Sequence, residues 1–298
     1  MKNREQLYIF GEVLFDCFPT GAKVLGGAPF NVAWHLQALG DQPRFISRIG
    51  TDEGGDRILQ AMGDWGMSTA DIQIDEVHPT GRVEVTITDG EPSYDIVTDS
   101  AYDFISAEQM GETTMAGILY HGTLCLRNLS ARDTLSKISR NRNLRIFFDV
   151  NLRPPWWQRD EVFEWLKNAD WVKMNQEELR LLGTSATDIQ QQMAELQTTC
   201  GLEQLIVTRG EQGALIRTND GEFHSRRPEK ADHLVDTVGA GDAFSAVYIH
   251  GLRAGWPIST TLAKAQKLAS KVIGIRGAST TDTDFYQDFI RFLSVNSD

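Results

Sequence analysis

VDTVGAGDAF, residues 235–244, sets a carboxylate directly after a run of small residues, at the head of the apolar segment AFSAVYIHGL. Amides at a helix N-terminus are unpaired donors with partial positive charge, and glycine lets such a backbone approach an anion closely. The stretch therefore predicts a helix whose opening amides, at Gly239, Ala240 and Gly241, cradle a phosphate. Asp242 then lies near enough to take a proton from an attacking hydroxyl. A plain glycine turn, with Asp242 favoured by the helix dipole, accounts for the same ten residues. A dinucleotide fingerprint fits less well, because VGAGDAF lacks the third glycine and lies far from any first βαβ unit.

Outward from this stretch, apolar runs of strand length alternate with longer amphipathic segments: LYIFG, NVAWHLQALG, RFISRIG, DRILQAMGDWG, then GILYHG, RDTLSKISR, RIFFDV and DEVFEWLKNA. WVKMN, QEELRLLG, DIQQQMAELQTTC, LEQLIVTRG and ALIRT continue the series. That punctuation predicts an α/β fold, a mostly parallel sheet between layers of helices. Between residues 80 and 102 the period changes to two on either side of Asp89-Gly90, which is a hairpin signal. With residues 13–25 this hairpin is expected to form a small β lid, although an edge hairpin has the same pattern. No Pro/Ser-rich or charged linker divides the 298 residues, so one domain over 1–298 is expected.

A composition of 41% hydrophobic and 23% charged residues supports a folded core rather than disorder. The net charge of −12 argues against non-specific binding to nucleic acid or an anionic membrane, both of which need a basic surface. Cys17, Cys125 and Cys200 are scattered without metal-ligand spacing, so neither a disulfide framework nor a zinc site is expected. MKNREQLYIFGEVLF lacks a long apolar stretch and a small-residue cleavage pattern, which leaves a cytoplasmic location as the expectation.

A second glycine motif, GGAPFNVAWHLQALG, begins at Gly26 and Gly27 and contains Asn31. Together with IFGEVLFDCFP, ISRIGTDEGG, VNLRPPWW, KMNQEEL, VTRGEQGA and IRGA in that order, the two glycine motifs resemble the signatures of the ribokinase, or PfkB, family of carbohydrate kinases. The resemblance covers nearly the whole chain and is strongest to bacterial fructokinase-type members. It implies a ribokinase-like three-layer sandwich, with ATP and Mg²⁺ as cofactors and a small sugar as partner.

Carried over residue by residue, the resemblance makes Asp242 the catalytic base and Gly239, Ala240 and Gly241 the anion hole. It makes Asp16, Gly26, Gly27 and Asn31 sugar-binding positions. Asn175 and Glu178 match the NxxE motif that positions Mg²⁺ through water, and a spacing of three puts both on one helix face. Thr208, Gly210 and Gly213 resemble the turn beside the nucleotide. Gln266 falls on the adenine side, where relatives often carry Asn or His. Asp236 is the family's monovalent-cation position, implying K⁺, with backbone capping as the competing role.

Arg153, a guanidinium fork suited to carboxylate or phosphate, faces the sugar, the ATP phosphates or neither. The resemblance and an acid-rich pocket favour D-fructose as the sugar. 2-Keto-3-deoxygluconate, through Arg153, is the alternative, followed by a ribose or nucleoside; a non-catalytic sugar-binding protein is the remote one. Apolar alternation in the lid leaves an edge for a homodimer. Two departures from the family pattern, Gly54 and STTDTD after Gly277-Ala278, lie away from the proposed chemistry.

Overall fold

A computed structural model describes residues 5–88, 91–110, 115–183, 186–229 and 234–295. Strand β1 (Gln6–Phe10) is followed by β2 (Leu14–Cys17), β3 (Lys23–Gly26), helix α1 (Ala28–Ala38), β4 (Arg44–Gly50), α2 (Glu53–Asp64) and β5 (Ile72–Asp75). A hairpin of β6 (Gly81–Thr88) and β7 (Glu91–Ile96) leads to β8 (Gly117–His121), α3 (Leu129–Ser139), β9 (Leu144–Asp149) and α4 (Arg159–Asn168). Then come β10 (Trp171–Asn175), α5 (Gln176–Leu182), α6 (Ile189–Cys200), β11 (Gln204–Thr208), β12 (Ala214–Thr218) and β13 (Phe223–Arg226). Helices α7 (Ala240–Ala254), α8 (Ile258–Val272) and α9 (Thr283–Val295) close the described chain.

Nine strands form one sheet in the order β13-β12-β11-β10-β9-β8-β1-β4-β5. From β5 to β11 every neighbour is parallel, while β12 and β13 run antiparallel at one edge. The strand period of two splits the apolar residues between two cores. Leu7, Ile9, Phe147 and Trp171 face a core shared with Phe30, Ile58, Tyr248 and Phe289. Tyr8, Phe10, Phe148 and Val172 face the opposite core with Leu135, Trp165, Leu179 and Leu196. Both faces are thus covered by helices, which is why the strands read as nearly continuous apolar runs. The α/β sandwich expected from the sequence is the observed architecture.

β2, β3, β6 and β7 form a separate four-stranded sheet in the order β3-β2-β6-β7. Its strands fall within residues 14–26 and 81–96, and β6 pairs antiparallel with β7. The predicted turn at Asp89-Gly90 lies outside the described residues. Among the described residues no helix is long and apolar enough to cross a membrane, and Cys17, Cys125 and Cys200 are free thiols.

A buried ion pair holds the segment that follows β7. Arg127 donates from Nε to Asp103 Oδ1 and from Nη2 to Asp103 Oδ2, both at 2.8 Å, and Nη2 also reaches the Val97 carbonyl and the Tyr102 hydroxyl. The side chains of Arg127 and Asp103 are 5% and 2% exposed, so removing either charge strands the other in a dry setting. Arg127→Ala is expected to lower the unfolding free energy by about 3–5 kcal/mol in urea denaturation. A loss below about 1 kcal/mol would show that this segment is held by other contacts.

Candidate functional site

All the parallel strands end at one edge of the sheet, where Asp149, Asn175 and Thr208 close β9, β10 and β11. Helix α7 begins over that edge. Its N-cap, Gly239, has φ 80°, and a Cβ at this position would lie 2.4 Å from Ala278, so only glycine fits. No side chain caps the helix, which leaves the amides of Ala240, Gly241 and Asp242 without partners inside it. The first intrahelical bond runs from Ala243 N to Gly239 O at 2.9 Å. This is an open anion cradle on a fifteen-residue helix.

Asp242 stands in the first turn, half-buried, and accepts a 2.8 Å hydrogen bond on Oδ2 from Asn31 Nδ2. Burial pushes its carboxyl up to about 6, with the Asn31 bond pulling the other way and Asp149 adding to the rise. Asn31 comes from α1, whose N-cap Gly27 has φ 107°; a Cβ there would lie 2.7 Å from the Glu12 carbonyl oxygen. Gly27 thus serves the protein's own backbone approach. Gly26 faces Asp16, whose Oδ2 would lie 3.7 Å from a Cβ at that position. Asp16 is partly buried on β2, and burial raises its carboxyl. The sugar motif and the phosphate motif, 211 residues apart, therefore meet through one hydrogen bond.

Beneath the cradle lies a group that the sequence pattern does not flag. Lys173 on β10 and Asp149 on β9 are register partners, and Lys173 Nζ donates to both Asp149 oxygens at 2.9 and 2.8 Å. Both residues are buried, Lys173 at 6% and Asp149 at 2% exposure. Ser245 on α7 donates to Asp149 Oδ2 at 2.7 Å, tying the helix to the pair. A Cβ on Gly241 would lie 3.5 Å from Lys173 Nζ, so the ammonium sits directly under the anion cradle. Each polar residue follows, two positions on, an apolar residue facing α7, Phe147 and Trp171. The signal was a polar end to an apolar run, but its pairing depends on cross-strand register.

α1 also braces the wall behind Gly239. His35 Nε2 lies 3.1 Å from the Ala278 carbonyl and the Tyr286 hydroxyl lies 2.9 Å from His35 Nδ1. Burial lowers this imidazole to about 4, so the neutral ring donates to the carbonyl and accepts from the tyrosine. Trp34 Nε1 donates to the Thr280 carbonyl at 3.0 Å.

Arg153 is exposed after β9, and no carboxylate salt-bridges it among the described residues. Its Nη1 donates to its neighbour's carbonyl, that of Leu152, and its charge lowers the pKa of both Glu12 and Asp242. Glu12, at 2% exposure, is pushed up to about 7 by burial, opposed by its own amide and by Arg153.

On the nucleotide side, Asn175 and Glu178 form a reciprocal capping box at the start of α5. Asn175 Oδ1 accepts from Glu178 N at 2.8 Å and Glu178 Oε2 from Asn175 N at 2.7 Å, while Glu178 Oε1 accepts from Leu152 N at 2.7 Å. Each of these oxygens keeps one lone pair for a metal-bound water. No cluster of three or more His, Cys, Asp or Glu residues able to hold a metal directly occurs among the described residues. Such a donor set suits an ion carried mainly by phosphate and water, as Mg²⁺ prefers.

Thr208 lies opposite Asn175 in register, and its hydroxyl donates to the Met174 carbonyl at 3.4 Å. Gly210 and Gly213 adopt φ 54° and 85°, and a Cβ on Gly213 would overlap the Arg226 carbonyl. Gln266 Nε2 donates to that same carbonyl, and Gln266 Oε1 is buried without a partner. Asp236 accepts from Val238 N at 3.0 Å and Gly277 N at 3.2 Å, joining the loop before α7 to the turn at residues 273–278.

Comparison with known proteins identifies the family. The pfkB family carbohydrate kinase model matches residues 12–284. A fructokinase of Salmonella typhimurium is 29% identical over 298 aligned residues, covering 92% of this chain and 95% of the relative. Among solved structures, a Xylella fastidiosa fructokinase with bound ATP superposes with a TM-score of 0.86 at 21% identity, covering 98% and 99% of the two chains. Aminoimidazole riboside kinase from Salmonella enterica, complexed with aminoimidazole riboside and an ATP analogue, superposes at 0.83 with 24% identity, over 96% and 100%. With a family match across nine-tenths of its length, this chain belongs to the pfkB carbohydrate kinases, phosphotransferases that act on an alcohol acceptor.

Proposed function

We propose that this kinase transfers the terminal phosphoryl group of ATP to a primary hydroxyl of D-fructose, with Asp242 as general base. The observation that carries the reading is the Asn31–Asp242 hydrogen bond, which brings the sugar-side helix onto the carboxylate at the anion cradle. Asn31 orients Asp242, so the lone pair that remains is aimed at the incoming hydroxyl. Asp242 takes the hydroxyl proton as the oxygen attacks in line. The amides of Ala240, Gly241 and Asp242, with Lys173 beneath them, meet the charge that develops on the transferring group. Mg²⁺, held through water by Asn175 and Glu178, would neutralise the ATP phosphates when bound. Asp236, joining two loops, is the proposed position for K⁺. The relatives named fructokinase and the acid-rich pocket of Glu12, Asp16 and Asp242 favour an uncharged ketose. A second reading, 2-keto-3-deoxygluconate, draws on the unpaired guanidinium of Arg153.

ADP release measured with ATP against a panel of neutral sugars, sugar acids and nucleosides is expected to give the highest kcat/KM with D-fructose. A higher value for the sugar acid or a nucleoside would overturn that choice.

Three further outcomes follow from the geometry. Asp242→Asn is expected to reduce kcat by at least about 10²-fold while the protein stays folded, because it removes the base and keeps the shape; near-normal turnover would refute the role. The raised carboxyl must be ionised to accept a proton, so kcat/KM is expected to fall about tenfold per unit as pH drops below about 6. A profile flat to about pH 4.5 would contradict the assignment. Lys173→Met leaves Asp149 buried and unpaired, and a loss of about 3–5 kcal/mol in stability is expected. Removing both charges, in Lys173→Met with Asp149→Asn, is expected to recover most of that stability while kcat remains about 10²-fold low. Recovery of activity together with stability would reduce the pair to a structural role.

A further inference from the structure

Two buried acceptors in the sugar pocket lack partners. Glu12 Oε2 and Asn31 Oδ1 have no hydrogen bond among the described residues, on side chains only 2% and 4% exposed. Leaving a buried acceptor unmade costs about 1–3 kcal/mol, more for a charged group, so such atoms call for a donor from outside the protein. They occupy one neighbourhood. Glu12 packs its backbone against Gly27, the cap of α1, and Asn31 stands one turn further along, its amide bonded to the Gly27 carbonyl at 2.8 Å. The other half of the Asn31 carboxamide is already committed to Asp242. The charges on Arg153, Asp242 and Arg127 all act on Glu12.

Resting on the sugar-kinase reading, we propose that Glu12 is a specificity-determining residue. Its carboxylate and Asn31 Oδ1 accept hydrogen bonds from hydroxyls adjacent to the one that Asp242 deprotonates, selecting a neutral polyhydroxylated substrate over a sugar acid. Asn31 thereby reads the substrate with one atom and orients the base with the other. A hydroxyl supplies the missing donor and so favours the ionised form of Glu12, whereas a carboxylate has no proton to give and meets the negative charge of Asp242. Arg153 offsets part of that charge and keeps Glu12 tolerable in a dry pocket.

Glu12→Gln keeps the side-chain shape but turns one acceptor into a donor facing the hydroxyl. In Glu12→Gln, KM for D-fructose and its Kd by calorimetry without nucleotide are expected to rise about 10- to 100-fold, the worth of a hydrogen bond to a charged group. KM for ATP and the thermal midpoint should hold, since Oε2 bonds nothing in the protein. The preference for D-fructose over 2-keto-3-deoxygluconate should narrow by a similar factor, and Glu12→Asp should fall between the two proteins. A fructose KM and Kd within about twofold of the parent would overturn the proposal and leave the kinase reading intact. A lowered thermal midpoint with a parallel rise in the KM for ATP would overturn it in favour of a structural role. A parent enzyme that turns over the sugar acid but not the ketose would instead refute the substrate choice, and this proposal with it.

Discussion

The buried pair of Lys173 and Asp149 is the joint at which sheet, helix and site meet. Two neighbouring strands present the charges in register, and Ser245 binds α7 to them from above. Because the helix is held there, its opening amides are fixed over an ammonium group whose charge Asp149 offsets. The pair cannot be loosened without unpairing charges in a dry environment, so a rigid cradle comes with the fold. Asp149 also helps raise the carboxyl of Asp242, so the same joint tunes the base.

Three carboxyl groups of the candidate site share one perturbation. Glu12, Asp16 and Asp242 all have carboxyl groups lifted by burial, and the whole chain is acidic. An acidic protein that handles a polyanion has to concentrate its few cations and amides where the phosphates go. Acceptors gather at Glu12, Asn31 and Asp242, and unpaired donors at the opening amides of α7.

The layered fold was legible because both faces of the sheet are covered, which writes each central strand as an apolar run and each helix as an amphipathic one. The antiparallel strands β12 and β13 were less so, since direction within an edge pair leaves no mark in periodicity. Asp242 could be read because the residues that make its surroundings, Gly239 to Gly241, are its sequence neighbours. Lys173 and Asp149 could not, because their meaning arises from a lateral pairing between strands 24 residues apart. Asn175 and Glu178 illustrate the opposite difficulty: one spacing serves a capping box and a hydrated cation alike, and the capping bonds are the ones present. No spacing in the sequence sets Glu12 apart, and only its burial and its idle oxygen distinguish it.

Helix α1 touches both halves of the site. Near its start Asn31 holds the carboxylate, while one turn later Trp34 and His35 grip the segment against which Gly239 abuts. A single stiff rod consequently carries both contacts, so the carboxylate of Asp242 and the wall behind Gly239 are held at a fixed spacing.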